Sequence, residues 1–211
     1  MKHIQVVLFI CFSLSLCNIC NFSDRFRKVS ESGNTSTSEG GSGSVRAEPA
    51  QPTAAQIAAL SGGEDIKWDQ QGMSWTVPPG WSESSNELLS LVWRSPGSWD
   101  AASLIVSISP MDENFPTEIS LNSWYDQART RSKNGEVDEL KWVEIDGVKG
   151  VQFREANPPK PDDHRRLQWL AYRKFGGQVQ FVNVMLASSG KDFARHQDAM
   201  YGILYSTKLV H

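Results

Sequence analysis

The sequence predicts an α+β domain in which a mainly antiparallel sheet of about six to seven strands is packed with helices. Three observations predict it. Two apolar runs, 167–175 and 179–187, flank Gly176-Gly177, a pair able to take the positive φ angles of a two-residue hairpin turn. Both runs carry apolar residues on alternate positions, and the second carries them on both faces, so it should be central and covered on both sides. A second hairpin dipeptide, Asp146-Gly147, joins 140–145 to 148–153. Finally, two stretches repeat apolar residues at helical spacing and supply the covering layers.

In chain order, a short basic start precedes an uncharged apolar run, residues 4–22, which reads as a signal peptide or membrane anchor over 1–22. Leu14-Ser15-Leu16-Cys17 resembles the lipobox of bacterial lipoproteins, which makes Cys17 the lipidation candidate, although Leu16 stands where Gly, Ala or Ser is usual. All three cysteines, Cys11, Cys17 and Cys20, lie in this segment, so the rest of the chain has no disulfide, no cysteine nucleophile and no cysteine metal site. Residues 23–63 read as a disordered linker, rich in Ser, Gly and Pro, with a short helix possible over 54–60. Its flexible part would reach roughly 30–35 Å, enough to hold a domain off a membrane surface.

The globular domain is expected over 64–211, because all eight tryptophans lie between Trp68 and Trp169. Such a length buries roughly two thirds of the surface of its unfolded chain. Met73, Trp75 and Val77 alternate in a first strand closed by Pro78-Pro79-Gly80. Residues 88–93 and 102–109 make the second and third strands, with Pro110 as terminator and Trp99 in the loop between them. Leu121, Trp124, Tyr125 and Ala128 share one face of a helix over 120–134, with Ser120 as N-cap and Asn134-Gly135 as exit. A Pro-rich loop, 156–164, leads into the Gly176-Gly177 hairpin. Ser188-Ser189 then caps a last helix with Phe193, Met200, Tyr201 and Leu204 inward, and 207–210 closes the chain as a short strand.

Trp75-Thr-Val-Pro-Pro-Gly-Trp81, Glu144-Ile-Asp-Gly-Val-Lys-Gly150, and the closing hairpin with its helix ending Ile203-Leu-Tyr-Ser206 together resemble the PsbP-like fold. That family includes an extrinsic protein of photosystem II, a Ran-binding import factor and many small exported bacterial envelope proteins. The resemblance covers about residues 66 to 210. It implies a helix–sheet–helix sandwich and a non-catalytic, binding or accessory role.

Chemistry is sparse. No Gly-x-Ser-x-Gly elbow, phosphate loop or dinucleotide fingerprint occurs, so neither an enzyme nor a cofactor is expected. Asp162-Asp163-His164 is the one carboxylate–imidazole cluster, and in a Pro-rich loop it reads as a solvated turn rather than a metal site. A net charge of −3 without a basic stripe gives no sign of a nucleic-acid partner. Arg154, Arg165, Arg166, Arg173 and Lys174 border the hairpins and could form a basic patch beside Trp169. With the loop residue Trp99, the candidate partner contacts are therefore Trp99, Arg165, Arg166 and Trp169.

The resulting expectation is an exported, membrane-tethered binding or accessory module of the cell envelope, attached through its N-terminus and facing an envelope protein. The alternative is a small-molecule carrier whose apolar pocket lies between sheet and helix, lined by residues such as Trp124 and Phe181.

Overall fold

The computed structural model describes residues 46–97 and 101–210. Cys17 and Trp99 therefore lie outside the described residues, as does the apolar N-terminal run.

The expected hairpins form the centre of the molecule. Strands β9 (His164–Phe175) and β10 (Gln178–Ser189) turn through Gly176 and Gly177 at φ 58° and 80°. Strands β7 (Val137–Ile145) and β8 (Val148–Glu155) turn through Asp146 and Gly147 at φ 48° and 81°. Two consecutive left-handed residues match the right-handed twist of the flanking strands, which is why these dipeptides close hairpins. Adding β1 (Glu48–Pro49), β4 (Ser82–Glu87), β5 (Ser90–Arg94) and β6 (Ser103–Met111) completes an eight-stranded sheet in the order β1-β7-β8-β9-β10-β6-β5-β4. All its pairings are antiparallel except that of β1 with β7. A separate three-stranded sheet, β11-β3-β2, is built from β2 (Glu64–Trp68), β3 (Met73–Val77) and β11 (Lys208–Leu209).

The sheet is thus larger than its sequence suggests, for reasons that differ from strand to strand. β4 reads Ser-Glu-Ser-Ser-Asn-Glu and has no apolar period, because it is an exposed outer strand whose charges protect the sheet edge. Leu88 and Leu89, expected inside a strand, are instead the two central residues of the β4–β5 turn. Pro110 does not stop β6, where it pairs with Gln180. The last β5 partner on β6 is Ser107, so the side of Pro110 that lacks an N–H faces no strand.

The folded part also begins earlier than residue 64. The segment over 46–63, expected to be linker, lays β1 along β7 and forms α1 (Ala54–Ala59), capped reciprocally by Thr53 and Gln56. The helix rests on Gly202 of α3 (Gly190–Tyr205), where an added Cβ would come within 2.7 Å of the Gln56 carbonyl oxygen. This contact explains why so short a helix is retained.

Helices cover both faces of the large sheet. α2 (Thr117–Lys133) buries Leu121 and Ala128 against Trp142, Val151, Phe153 and Leu170. It starts three residues earlier than expected. Ser120 is not its cap but a buried residue of the first turns, its hydroxyl 2.7 Å from that of Tyr172. On the opposite face, Leu167, Trp169, Val182, Val184 and Leu186 pack with Phe193, Met200, Ile203 and Leu204 of α3 and with Trp68, Met73 and Trp75 of the small sheet. This second core is the larger, and each fully buried large side chain in it contributes about 1.5–3 kcal/mol.

Candidate functional site

Two of the sequence-predicted contact residues belong to the interior. Trp169 is fully buried, its indole N–H donating to the Val143 carbonyl oxygen at 3.3 Å. Alternation along β9 puts it with Leu167 and Ala171 on the face that meets α3, so it cannot touch a partner. Arg165 is also buried. Its guanidinium lies 4.4 Å from the Phe193 ring centroid, bonds the Glu155 carbonyl oxygen at 2.7 Å and pairs with Asp138 at 2.5 Å. Arg166 keeps its outward position but pairs with Glu155 at 3.2 Å. Three members of the expected basic patch, Arg154, Arg165 and Arg166, are therefore ion-paired, with Asp138, Glu139 and Glu155 drawn in from neighbouring strands.

Asp162 is paired with Lys191 at 2.5 Å and holds the Pro-rich loop to the start of α3. Trp124 and Phe181, the proposed lining of a carrier pocket, stack face to face at 5.8 Å and 11°. Tyr172 adds its ring 5.2 Å from Phe181. These rings pack on one another, and the cleft between the start of α2 and the sheet, about 250 Å³, is lined by Thr117, Glu118, Leu121, Val148, Lys149 and Tyr172 rather than by Trp124 and Phe181.

The most concentrated polar chemistry among the described residues centres on Glu139, where β7 and β8 meet α3. Its carboxylate accepts from the Tyr201 hydroxyl at 2.6 Å and the Gln152 amide at 2.7 Å, and pairs with Lys141 at 3.1 Å and Arg154 at 3.6 Å. Arg154 also pairs with Asp138 at 2.7 Å, which connects this cluster to Arg165. Beside it, a cleft of about 390 Å³ lies between the N-terminal strap and β7, lined by Glu48, Gln51, Lys141 and Tyr205 among others. Sequence reasoning missed the cluster because Asp138 and Arg165, for example, are 27 residues apart and no local motif unites them.

The directions of the proton affinities show what this arrangement can do. Burial, then the hydrogen bond to Glu139, raises the Tyr201 phenol far above its ordinary value of 10.0. Burial works against the Lys141 ammonium and the Arg154 guanidinium. It is outweighed by Tyr205 and Glu139 for the lysine and chiefly by Asp138 for the arginine, so both lie above their ordinary values. Every resolved shift in the cluster fixes the protonation state already present at neutral pH. A general acid or base needs the opposite, a group brought close to neutrality. The cluster is suited to holding β7, β8 and α3 together and to presenting fixed charge at the cleft.

Two expected results follow. Tyr201 has a higher pKa folded than unfolded, so its stabilising contribution is complete below about pH 10 and is lost as pH rises beyond it. Chemical-denaturation midpoints of the native chain should therefore fall above pH 10, and Tyr201→Phe should flatten that fall. Asp138→Asn removes the charge facing the buried Arg165. Because the Asp138 side chain is 36% exposed, the expected loss is about 1–2 kcal/mol rather than the larger penalty of a fully enclosed pair, read from urea midpoints.

No protein-family model matches the sequence, and no curated protein matches it. Solved structures do. LpqN, described as involved in cell envelope biogenesis of Mycobacterium tuberculosis, superposes with a TM-score of 0.51 at 13% identity, over 72% of this chain and 87% of LpqN. A structure from Bacteroides thetaiotaomicron matches with a TM-score of 0.46 and 11% identity over 71% of this chain, which spans about half (49%) of that longer protein. The cyanobacterial PsbP of Synechocystis matches with a TM-score of 0.42 and 12% identity, over 70% of this chain and 92% of that one. The fold is PsbP-like, a broad antiparallel sheet between helices, and it is shared with LpqN.

Proposed function

We propose that the chain is an exported, membrane-tethered binding or accessory module of the cell envelope, with no catalytic activity. The observation that carries this reading is the pairing of an apolar N-terminal run with a domain of the LpqN fold, LpqN itself being described as acting in cell envelope biogenesis. The Glu139 cluster supports it, since its charges are held rather than poised for transfer. The partner is an envelope protein and not a nucleic acid, in keeping with a net charge of −3.

Cell fractionation with protease accessibility tests this. The expected result is recovery of the chain with membranes, and its digestion by a protease added outside the cytoplasmic membrane while a cytoplasmic marker survives. Recovery in the cytosol, protected from protease, would overturn the reading.

A further inference from the structure

The N-terminal strap places a carboxylate across a cleft from a lysine. Glu48 of β1 stands opposite Val143 of β7, so its side chain falls on the face of the sheet that carries α3, while its neighbour Ala47 packs into the core beneath α2. Lys141 lies two residues before Val143 on that same face, its ammonium 6.0 Å and 5.7 Å from the ring centroids of Tyr201 and Tyr205. One strand spacing across and two residues along separate Glu48 from Lys141, about 8 Å between Cα atoms. Both residues line the cleft of about 390 Å³ that opens at this point.

The two charges are held differently. Lys141 is fixed by Glu139 at 3.1 Å and keeps 37% of its side chain exposed, and an ammonium has three protons to donate. Glu139 does not cancel it, because the same carboxylate also faces Arg154. Lys141, Arg154 and Arg165 together outnumber Asp138 and Glu139 by one positive charge. Glu48 is exposed, and among the described residues no cation pairs with it. Between these opposite charges the cleft wall is apolar at Pro49, Ala50 and Val143. A volume near the lower end of the range for ligand sites, with a cation, an anion and an apolar wall, complements a small molecule that carries all three counterparts.

We infer that this cleft binds a free α-amino acid with an apolar side chain, its ammonium facing Glu48, its carboxylate facing Lys141 and its side chain against Pro49, Ala50 and Val143. The site differs from the apolar pocket between sheet and helix expected of a carrier, since it is polar and its second wall is the strap. It is also independent of where in the cell the chain resides.

Calorimetric titration of the full chain in detergent with L-leucine, L-valine and L-phenylalanine tests the inference, and can fail whatever the fractionation result. The expected outcome is saturable binding below about 1 mM by at least one of them. N-acetylation of that amino acid, which removes its positive charge, and conversion to its amide, which removes its negative charge, should each weaken binding about tenfold or more. Glu48→Gln should do the same, and because Glu48 is exposed and unpaired the variant should fold normally. Glu87→Gln, on the far edge strand β4, should bind as the native chain does. The bound amino acid should also slow hydrogen exchange at the Ala50 amide, which holds the strap to the Glu144 carbonyl oxygen. Absence of saturable binding by all three, equal binding of the acetylated or amide form, unchanged affinity in Glu48→Gln, or unchanged exchange at Ala50 would each overturn the inference.

Discussion

Replacing Trp169 with alanine is expected to cost about 3–5 kcal/mol of unfolding free energy, the range for removing a large aromatic side chain from a packed core. The indole is fully enclosed between Val184 and Gln152 on the flanking strands and the layer formed by α3 and the small sheet. Nothing nearby is free to fill the space, since Leu167, Ala171, Phe193 and Met200 are themselves buried. Urea denaturation followed by circular dichroism measures this loss. The outcome also separates the two roles open to this tryptophan. A surface contact residue would lose little stability on truncation, and its loss would appear only when a partner is present.

The neighbouring Gly150→Ala is expected to cost about 3 kcal/mol for the opposite reason. The added Cβ would lie 2.3 Å from the Trp169 indole nitrogen and 2.7 Å from the Leu170 carbonyl oxygen. A backbone oxygen in mid-sheet cannot retreat, and the ring is enclosed on its other sides, so the strain falls on the β8–β9 pairing. Because the clash is with Trp169, the two sites should couple. In a Trp169→Phe background, Gly150→Ala should cost markedly less than in the native chain, and a double-mutant cycle in urea reads the difference. Equal costs in both backgrounds would mean that the Leu170 carbonyl alone sets the penalty.

These two residues also show how the sequence carries its information. Gly150 stands in the motif that resembles PsbP-like proteins, and in the structure it is the floor on which Trp169 lies. The turns at Asp146-Gly147 and Gly176-Gly177 were legible because positive φ is a demand that few residues meet. The inner face of α2 was legible because Leu121 and Ala128 repeat at helical spacing. β4 was not, since an outer strand protected by polar residues has no period to detect. Nor was the strap over 46–63, whose fixing depends on Gly202 of α3 and on Glu144 of β7, whose carbonyl oxygen accepts from the Ala50 N–H.

The candidate sites were less legible than the fold, and for a physical reason. A residue type names a chemistry, but only tertiary pairing decides whether that chemistry is free. Arg165 and Arg166 are positive in any reading of the sequence, yet Asp138 and Glu155 neutralise them. Arg173 belonged to the same expected patch, and it alone of the four arginines is enclosed without a carboxylate. Leu88-Leu89 passed for core because two leucines beside a β-rich run satisfy the strand pattern. Only the turn geometry shows them to be outward.

The measurement that tests the tethered module most directly is the intact mass of the chain purified from its native membrane fraction. The account predicts a chain that is recovered with membranes, either beginning at Cys17 and carrying lipid or full-length and held by its uncleaved N-terminal run. A full-length, unmodified chain recovered from the soluble fraction would contradict it, and with it the assignment of the domain to the cell envelope.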